Sequence, residues 1–444
     1  MIVLVVAALA SCVPPPMVAA PVIAPQPPYG QPLPPQTPPP PPPVAAGPAK
    51  VALLVPLSGP NAGLGQAILN AAQLALFETG GDRLTLVPRD TRGTPGGAAD
   101  AARAALADGV SLILGPLLAA EVEAVTPIAR DAHVDVIAFS TVTDLAGGNT
   151  FLMGFLPGQE VVREVAYARQ RGIARFAALA PDTAYGHLMV DALRQSVPST
   201  GGRVAQVAFY GAGGGDASAA LRRLLPGGTA PPSPTAPGPT APGSTGPGST
   251  GPGSTVPGST VPGSTVPGPV PTAPDQPAPP TPTPANFDAL LLPEGGDRLK
   301  AIARELVAAG LDTKATRLLG SGLWDVPDIG DEPALDGGWF AASPPDARRE
   351  FEQRYRATYG REPPRLASLG YDAAALAAVL ARGQGGPPFS REAILNPSGF
   401  TGVDGLFRFT PQGLVQRELA VLEVEPQGNV VVSPAPQNFR DLGY

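Results

Sequence analysis

Val51-Ala52-Leu53-Leu54-Val55-Pro56-Leu57-Ser58-Gly59-Pro60-Asn61 opens with five consecutive apolar residues that run straight into a turn. An apolar run without polar alternation marks a strand covered on both faces, the usual state of a strand inside a parallel sheet. Helical spacing follows from about Ala62 to Phe77 and closes at Gly80-Gly81. Leu84–Val87 is the next predicted strand. Thr94-Pro95 then supplies an N-cap and an N1 proline for an alanine-rich helix that ends at Asp108-Gly109. Val110–Leu114 (strand), Glu121–Asp131 (helix) and Val134–Ala138 (strand) continue the alternation. Strands separated by helices of this length predict a parallel, doubly wound α/β sheet.

The same pattern begins again near Gly158. A helix at Gln159–Gln170 leads to strand Arg175–Leu179, helix Tyr185–Gln195, strand Arg203–Phe209 and helix Ala217–Leu225. It resumes beyond residue 285 with strand Asp288–Leu292, helix Asp297–Ala309 and strand Thr316–Gly320. Two helices, Asp346–Tyr359 and Ala367–Arg382, precede apolar strands near Gly405–Phe409, Leu414–Val424 and Asn429–Val432. The chain therefore predicts two doubly wound lobes. Lobe 1 spans 49–153 and is completed by about 345–400; lobe 2 spans 154–344 and is completed by about 401–436.

Proline separates these parts from the rest. Of 60 prolines, 17 fall in residues 13–48 and 20 in residues 226–285. Segments so rich in Pro, Gly, Ser and Thr bury too little apolar surface to offset ordering entropy, so both are expected to be disordered. The first reads as a tether that would reach roughly 110 Å if fully extended as polyproline II. The second, with Pro-Gly-Ser-Thr recurring from Pro242 to Pro262, reads as a surface insertion in lobe 2.

The apolar stretch at residues 1–11 is too short to span a bilayer. It ends at Leu9-Ala10-Ser11-Cys12, which resembles a bacterial lipobox, with Cys12 as the lipidated residue; the alternative is an ordinary secretory signal. Val13, in place of aspartate, favours the outer membrane by resemblance to enterobacterial sorting. A net charge of −7 and the lack of any basic run argue against a nucleic-acid partner. One cysteine and two histidines exclude Cys/His zinc sites and internal disulfides. The loop Gly59–Gly65 lacks the Lys-Ser/Thr of a P-loop, and no Gly-x-Ser-x-Gly elbow accompanies His133 or His187. No cofactor, metal site or catalytic set is expected.

The opening strand and turn resemble those of type I periplasmic binding proteins of the leucine-binding group. So do Leu112-Ile113-Leu114-Gly115-Pro116, Val136-Ile137-Ala138-Phe139-Ser140 and Asp182-Thr183-Ala184-Tyr185-Gly186. The resemblance implies two lobes joined by three crossovers, with a ligand cleft around Ser58, Ser140, Thr143 and Tyr185. Thr143 matches a ligand-binding hydroxyl and Tyr185 a cleft tyrosine. Ala119 stands where a serine is usual, and Pro293-Glu294-Gly295-Gly296 stands where an aromatic loop is common. Phe400-Thr401-Gly402-Val403-Asp404-Gly405-Leu406-Phe407-Arg408-Phe409, Arg417-Glu418-Leu419-Ala420-Val421 and Gly322-Leu323-Trp324-Asp325 resemble the penicillin-binding protein activator branch. That resemblance implies a non-enzymatic, lipid-anchored periplasmic protein that stimulates a peptidoglycan synthase by contact. The alternative is the solute-binding lipoprotein of a branched-chain amino-acid-type ABC transporter, with an amino-acid-like ligand in the cleft.

Overall fold

The computed structural model describes residues 47–79, 83–213, 216–225, 285–383 and 387–439. The leader with Cys12, the first proline tract as far as residue 46 and the insertion as far as residue 284 lie outside the described residues.

The first lobe contains β1 (Ala49–Val55), α1 (Ala62–Thr79), β2 (Leu84–Asp90), α2 (Pro95–Ala107), β3 (Leu112–Leu114), α3 (Ala119–Asp131), β4 (Asp135–Ala138) and β5 (Thr150–Leu152). The strands form one parallel sheet in the order β2-β1-β3-β4-β5. Val51 to Val55 are fully buried, as a central strand covered on both faces requires. Val51, Leu53 and Val55 point into one apolar layer with Ile68 and Leu69 of α1, and Ala52 and Leu54 into the other with Ala98 and Val122. Thr94 caps α2 as its sequence position suggests, its hydroxyl accepting from the Gly97 amide at 3.1 Å.

The second lobe contains α4 (Pro157–Gln170), β6 (Arg175–Pro181), α5 (Ala184–Ser199), β7 (Arg203–Tyr210), α6 (Ala217–Leu224), β8 (Ala289–Leu291), α7 (Gly296–Ala308), β9 (Arg317–Leu319) and β10 (Trp339–Ala342). Its parallel strands run β7-β6-β8-β9-β10, the order of the first sheet repeated. β8, the first strand after the insertion, pairs directly with β6, so the sheet runs on without a break. Thr183 caps α5 on the Gly186 amide at 3.2 Å, repeating the device of α2.

From β10 the chain returns to the first lobe. There α8 (Pro345–Tyr359) packs Phe351 and Tyr355 on α1, and α9 (Ala367–Ala381) adds Leu369, Ala373 and Leu376 to the β1 layer. A three-stranded antiparallel sheet of β11 (Phe400–Gly402), β12 (Gly405–Phe409) and β13 (Val415–Arg417) follows. Its Phe407, Phe409 and Val415 belong to the first lobe's core, and Leu152 bridges Leu414. The chain joins the second sheet only at β14 (Ala420–Glu423), antiparallel to β10, with β15 (Val430–Ser433) at the edge. The predicted single strand Leu414–Val424 is thus two strands in two sheets, with the lobe crossing at Glu418-Leu419. The architecture is α/β, with two doubly wound parallel-sheet lobes.

Candidate functional site

In sheets of this order the connections diverge between β1 and β3, and between β6 and β8. The crevices beyond the carboxyl ends of those strands are where open α/β sheets take ligands. A pocket of about 320 Å³ lies to one side of these switch points, beyond the ends of β4 and β5 in the first lobe and of β6, β9 and β10 in the second. Its first-lobe wall is Thr141, Phe155, Arg365 and Leu366; its second-lobe wall is Glu160, Tyr185, Gly322, Leu323, Asp325 and Ala342. Arg417 and Leu419, at the last crossing, close one side.

Of the four cleft candidates Ser58, Ser140, Thr143 and Tyr185, only Tyr185 lines this pocket. Ser58 is held away from it: Asp90 accepts from its hydroxyl at 2.6 Å and from its amide at 3.2 Å. Desolvation, the largest single effect, pushes the Asp90 carboxyl up, but these bonds with those from Leu57 and Arg92 together outweigh it and hold the carboxyl below its ordinary value. Ser140 is buried, its Oγ accepting from the Val142 amide at 3.2 Å, and Thr143 lies exposed in the next short turn. Their neighbour Thr141 is the loop's contribution to the pocket. At Ala119, the Leu118 amide donates to Glu121 at 3.1 Å, so the start of α3 is capped by its own chain. Glu294 accepts from the Tyr210 hydroxyl at 2.8 Å. His187 pairs with Asp182 at 2.7 Å and stacks on Phe209.

The charges that do face the pocket come from elsewhere. Glu160, in the first turn of α4, accepts from the Gly322 amide at 2.8 Å; burial pushes its carboxyl up to about 7, with Gly322 and Arg365 opposing. One turn on, Glu164 is buried, accepts from the Ala341 amide at 2.8 Å and is raised well above the usual carboxylate range by desolvation. Burial, with the nearby Glu160 charge, also raises the Tyr185 phenol.

Opposite stand two guanidinium–carboxylate pairs. Arg365 donates to Ser368 at 2.9 Å and Ser343 at 3.2 Å, pairs with Asp404 at 2.8 Å, and lies 4.1 Å over the Phe155 ring. Arg417 donates to the Met153 carbonyl at 3.0 Å and sits 3.9 Å from Asp372. Asp372 in turn accepts from the Val403 amide at 2.7 Å. Desolvation and the adjacent Asp404 charge push Asp372 up to about 7; Arg365 and Arg417 overcome desolvation at Asp404 and hold it low. Asp404, from the Gly-x-Asp-Gly segment, is therefore a buried counter-ion behind the pocket wall. Across the mouth, Asp325 of the second lobe forms a two-pronged pair with Arg348 of α8, one arm at 3.0 Å.

Glu160 and Arg365 carry no local signal, a glutamate in a first helical turn and an arginine beside Pro reading as solvated groups, and Arg417 is marked only by the resemblance of its segment, not as a pocket residue. Only the topology brings them together.

This pairing of lobes has known counterparts. The fold is that of a type I periplasmic binding protein. Residues 48–228 match the sequence pattern of a periplasmic binding protein family. Among solved structures, a putative branched-chain amino acid ABC transporter from Rhodospirillum rubrum is 20% identical, with 87% of this chain and 100% of that chain covered and a TM-score of 0.65. An ABC transporter substrate-binding protein from Sphaerobacter thermophilus is 22% identical, with 89% and 100% covered and a TM-score of 0.62. An ABC transporter solute-binding protein from R. palustris, in complex with benzoate, is 18% identical, with 88% and 98% covered and a TM-score of 0.53. No curated protein matches the chain by sequence.

Proposed function

We propose that the protein is a non-enzymatic periplasmic solute-binding protein that takes a small organic molecule between its lobes for an ABC transporter. The observation that carries this is the interlobe pocket of about 320 Å³, at the low end of small-molecule sites, with apolar walls and a few convergent polar groups. The fold shared with transporter receptors supports it, and the benzoate receptor and the amino-acid transporter proteins show which ligand classes neighbours of this fold handle. The lipobox at Cys12 supports anchoring to a membrane, with Val13 favouring the outer one.

The test is thermal unfolding of the mature chain with a panel of amino acids, organic acids, sugars and polyamines. A ligand at 100 times its Kd adds about 2.7 kcal/mol and raises Tm by several degrees. A shift with one member supports the reading; a flat response across the panel refutes it.

The second reading is a penicillin-binding protein activator that stimulates a synthase by contact. It is supported by the resemblance of Gly322–Asp325 and Phe400–Phe409 and by the tether-length proline tract. In the fold those segments line the pocket or supply the buried Asp404 and the Val403 amide that Asp372 accepts from, a structural use that suits either function. Capture of a peptidoglycan synthase by the mature chain, with no response to solutes, would favour this second reading.

A further inference from the structure

We infer that the solute of the interlobe cleft is an apolar molecule bearing a single carboxylate, and that Arg417 is the residue that anchors that carboxylate. This rests on the cleft being a ligand site.

The Arg417 side chain is 2% exposed and lines the pocket. Its Nη2 is used on the Met153 carbonyl, but Nε and Nη1 have no hydrogen-bond partner among the described residues. Asp372 lies 3.9 Å from Nη1, beyond hydrogen-bond reach. The guanidinium is instead held between aromatic rings, 5.0 Å from Phe155 and 5.2 Å from Phe407. A buried cation with unmet donors is costly, and an acceptor arriving in the pocket removes that cost.

Charge selects among acceptors. Arg365 pairs with Asp404 at 2.8 Å, and Asp404 also acts on Arg417, more strongly than Asp372 does. Asp372, 3.9 Å from Arg417, has its protonated form favoured by burial and by Asp404. The two guanidiniums thus share Asp404 as the one carboxylate held ionised between them, which favours an anionic acceptor over a neutral carbonyl. Two negative charges would fare badly, because Glu160 and Asp325 share the pocket and Asp404 lies just behind it. Phe155, Leu156, Pro157, Leu323 and Leu366 supply most of the apolar wall, which suits an apolar body, while Thr141, Gln159, Tyr185 and Ser343 are the uncharged polar groups beside it. In this arrangement the hydroxyls of Ser140 and Thr143 are not required, in keeping with their orientation away from the pocket.

The experiment is calorimetric titration of the mature chain with 4-methylpentanoate, benzoate and leucine, each against its primary amide, which removes the carboxylate charge at nearly constant shape; leucine keeps its ammonium group in both forms. At least one acid binds, and its amide binds about 10- to 100-fold more weakly. Arg417→Gln, checked for folding by circular dichroism, loses affinity for the acid by a similar factor and treats acid and amide alike. An amide that binds as tightly as its acid overturns the inference, as does undiminished acid binding by a folded Arg417→Gln. Binding of a neutral or cationic solute, with no response to any carboxylate, overturns it while leaving the cleft reading intact. Silence toward every solute overturns both. If Arg417→Gln does not fold, the acid–amide comparison on the unaltered protein decides.

Discussion

Glu160 shows what burial does to one carboxylate. With its folded pKa near 7 and an ordinary value of 4.5, the folded state retains a proton that the unfolded chain has released between those limits. Unfolding free energy therefore falls as pH rises from about 4.5 to about 7, by at most about 3 kcal/mol from this residue. Glu160→Gln keeps an oxygen for the Gly322 amide and removes the titration. Its urea midpoint should exceed that of the unaltered protein at about pH 8 and match it near pH 5. Equal midpoints at both pH values would mean that Glu160 is well solvated. Asp372 adds a slope of the same sign in both proteins and so cancels from the comparison. None of this is legible in the sequence. The Thr94 cap is, because a cap needs only the residues beside it, whereas Glu160 owes its state to Gly322 across the fold.

The helices that follow β1 and β6, α1 and α5, are built alike. A Cβ on Gly65 of α1 would collide with the Pro56 carbonyl oxygen, and one on Gly186 of α5 with that of Pro181. In each lobe a glycine near the start of the helix that follows the first strand lets that helix approach the end of the strand. Backbone atoms cannot rotate away as a side chain can. Gly65→Ala and Gly186→Ala should each cost about 1–3 kcal/mol in urea unfolding. Gly63→Ala, in the same helix but facing open space, should gain about 0.5–1 kcal/mol. A stability gain for Gly65→Ala would refute the close approach. Central elements such as β1, α1 and α2 were readable because each buries a continuous apolar face. The strands β5, β10 and β11, of three or four residues, are too short to show a period. The crossing at Glu418-Leu419 was hidden because strands from two different sheets follow one another with alternation on both sides.

Two lobes that each bury their own core need something to fix their separation, and the Asp325–Arg348 pair is placed to do so. Arg348 belongs to α8, which packs on α1 of the first lobe, while Asp325 follows β9 in the second; their side chains are only 11–12% exposed. A pair this secluded contributes strongly when broken from one side, since the remaining charge keeps its desolvation penalty. Asp325→Asn should therefore lower stability by about 3 kcal/mol, whereas the double variant Asp325→Leu with Arg348→Met should recover most of that loss. Geometry gives a separate readout. If the pair holds the lobes together, both variants should show a larger radius of gyration by small-angle X-ray scattering, because neither retains the electrostatic bridge. Recovery of stability together with an unchanged radius would place the restraint in the crossovers instead. There, Gln159 accepts from the Arg417 amide at 3.0 Å and Arg163 donates to the Leu419 carbonyl at 2.8 Å, so the three connecting strands would by themselves set the width of the cleft.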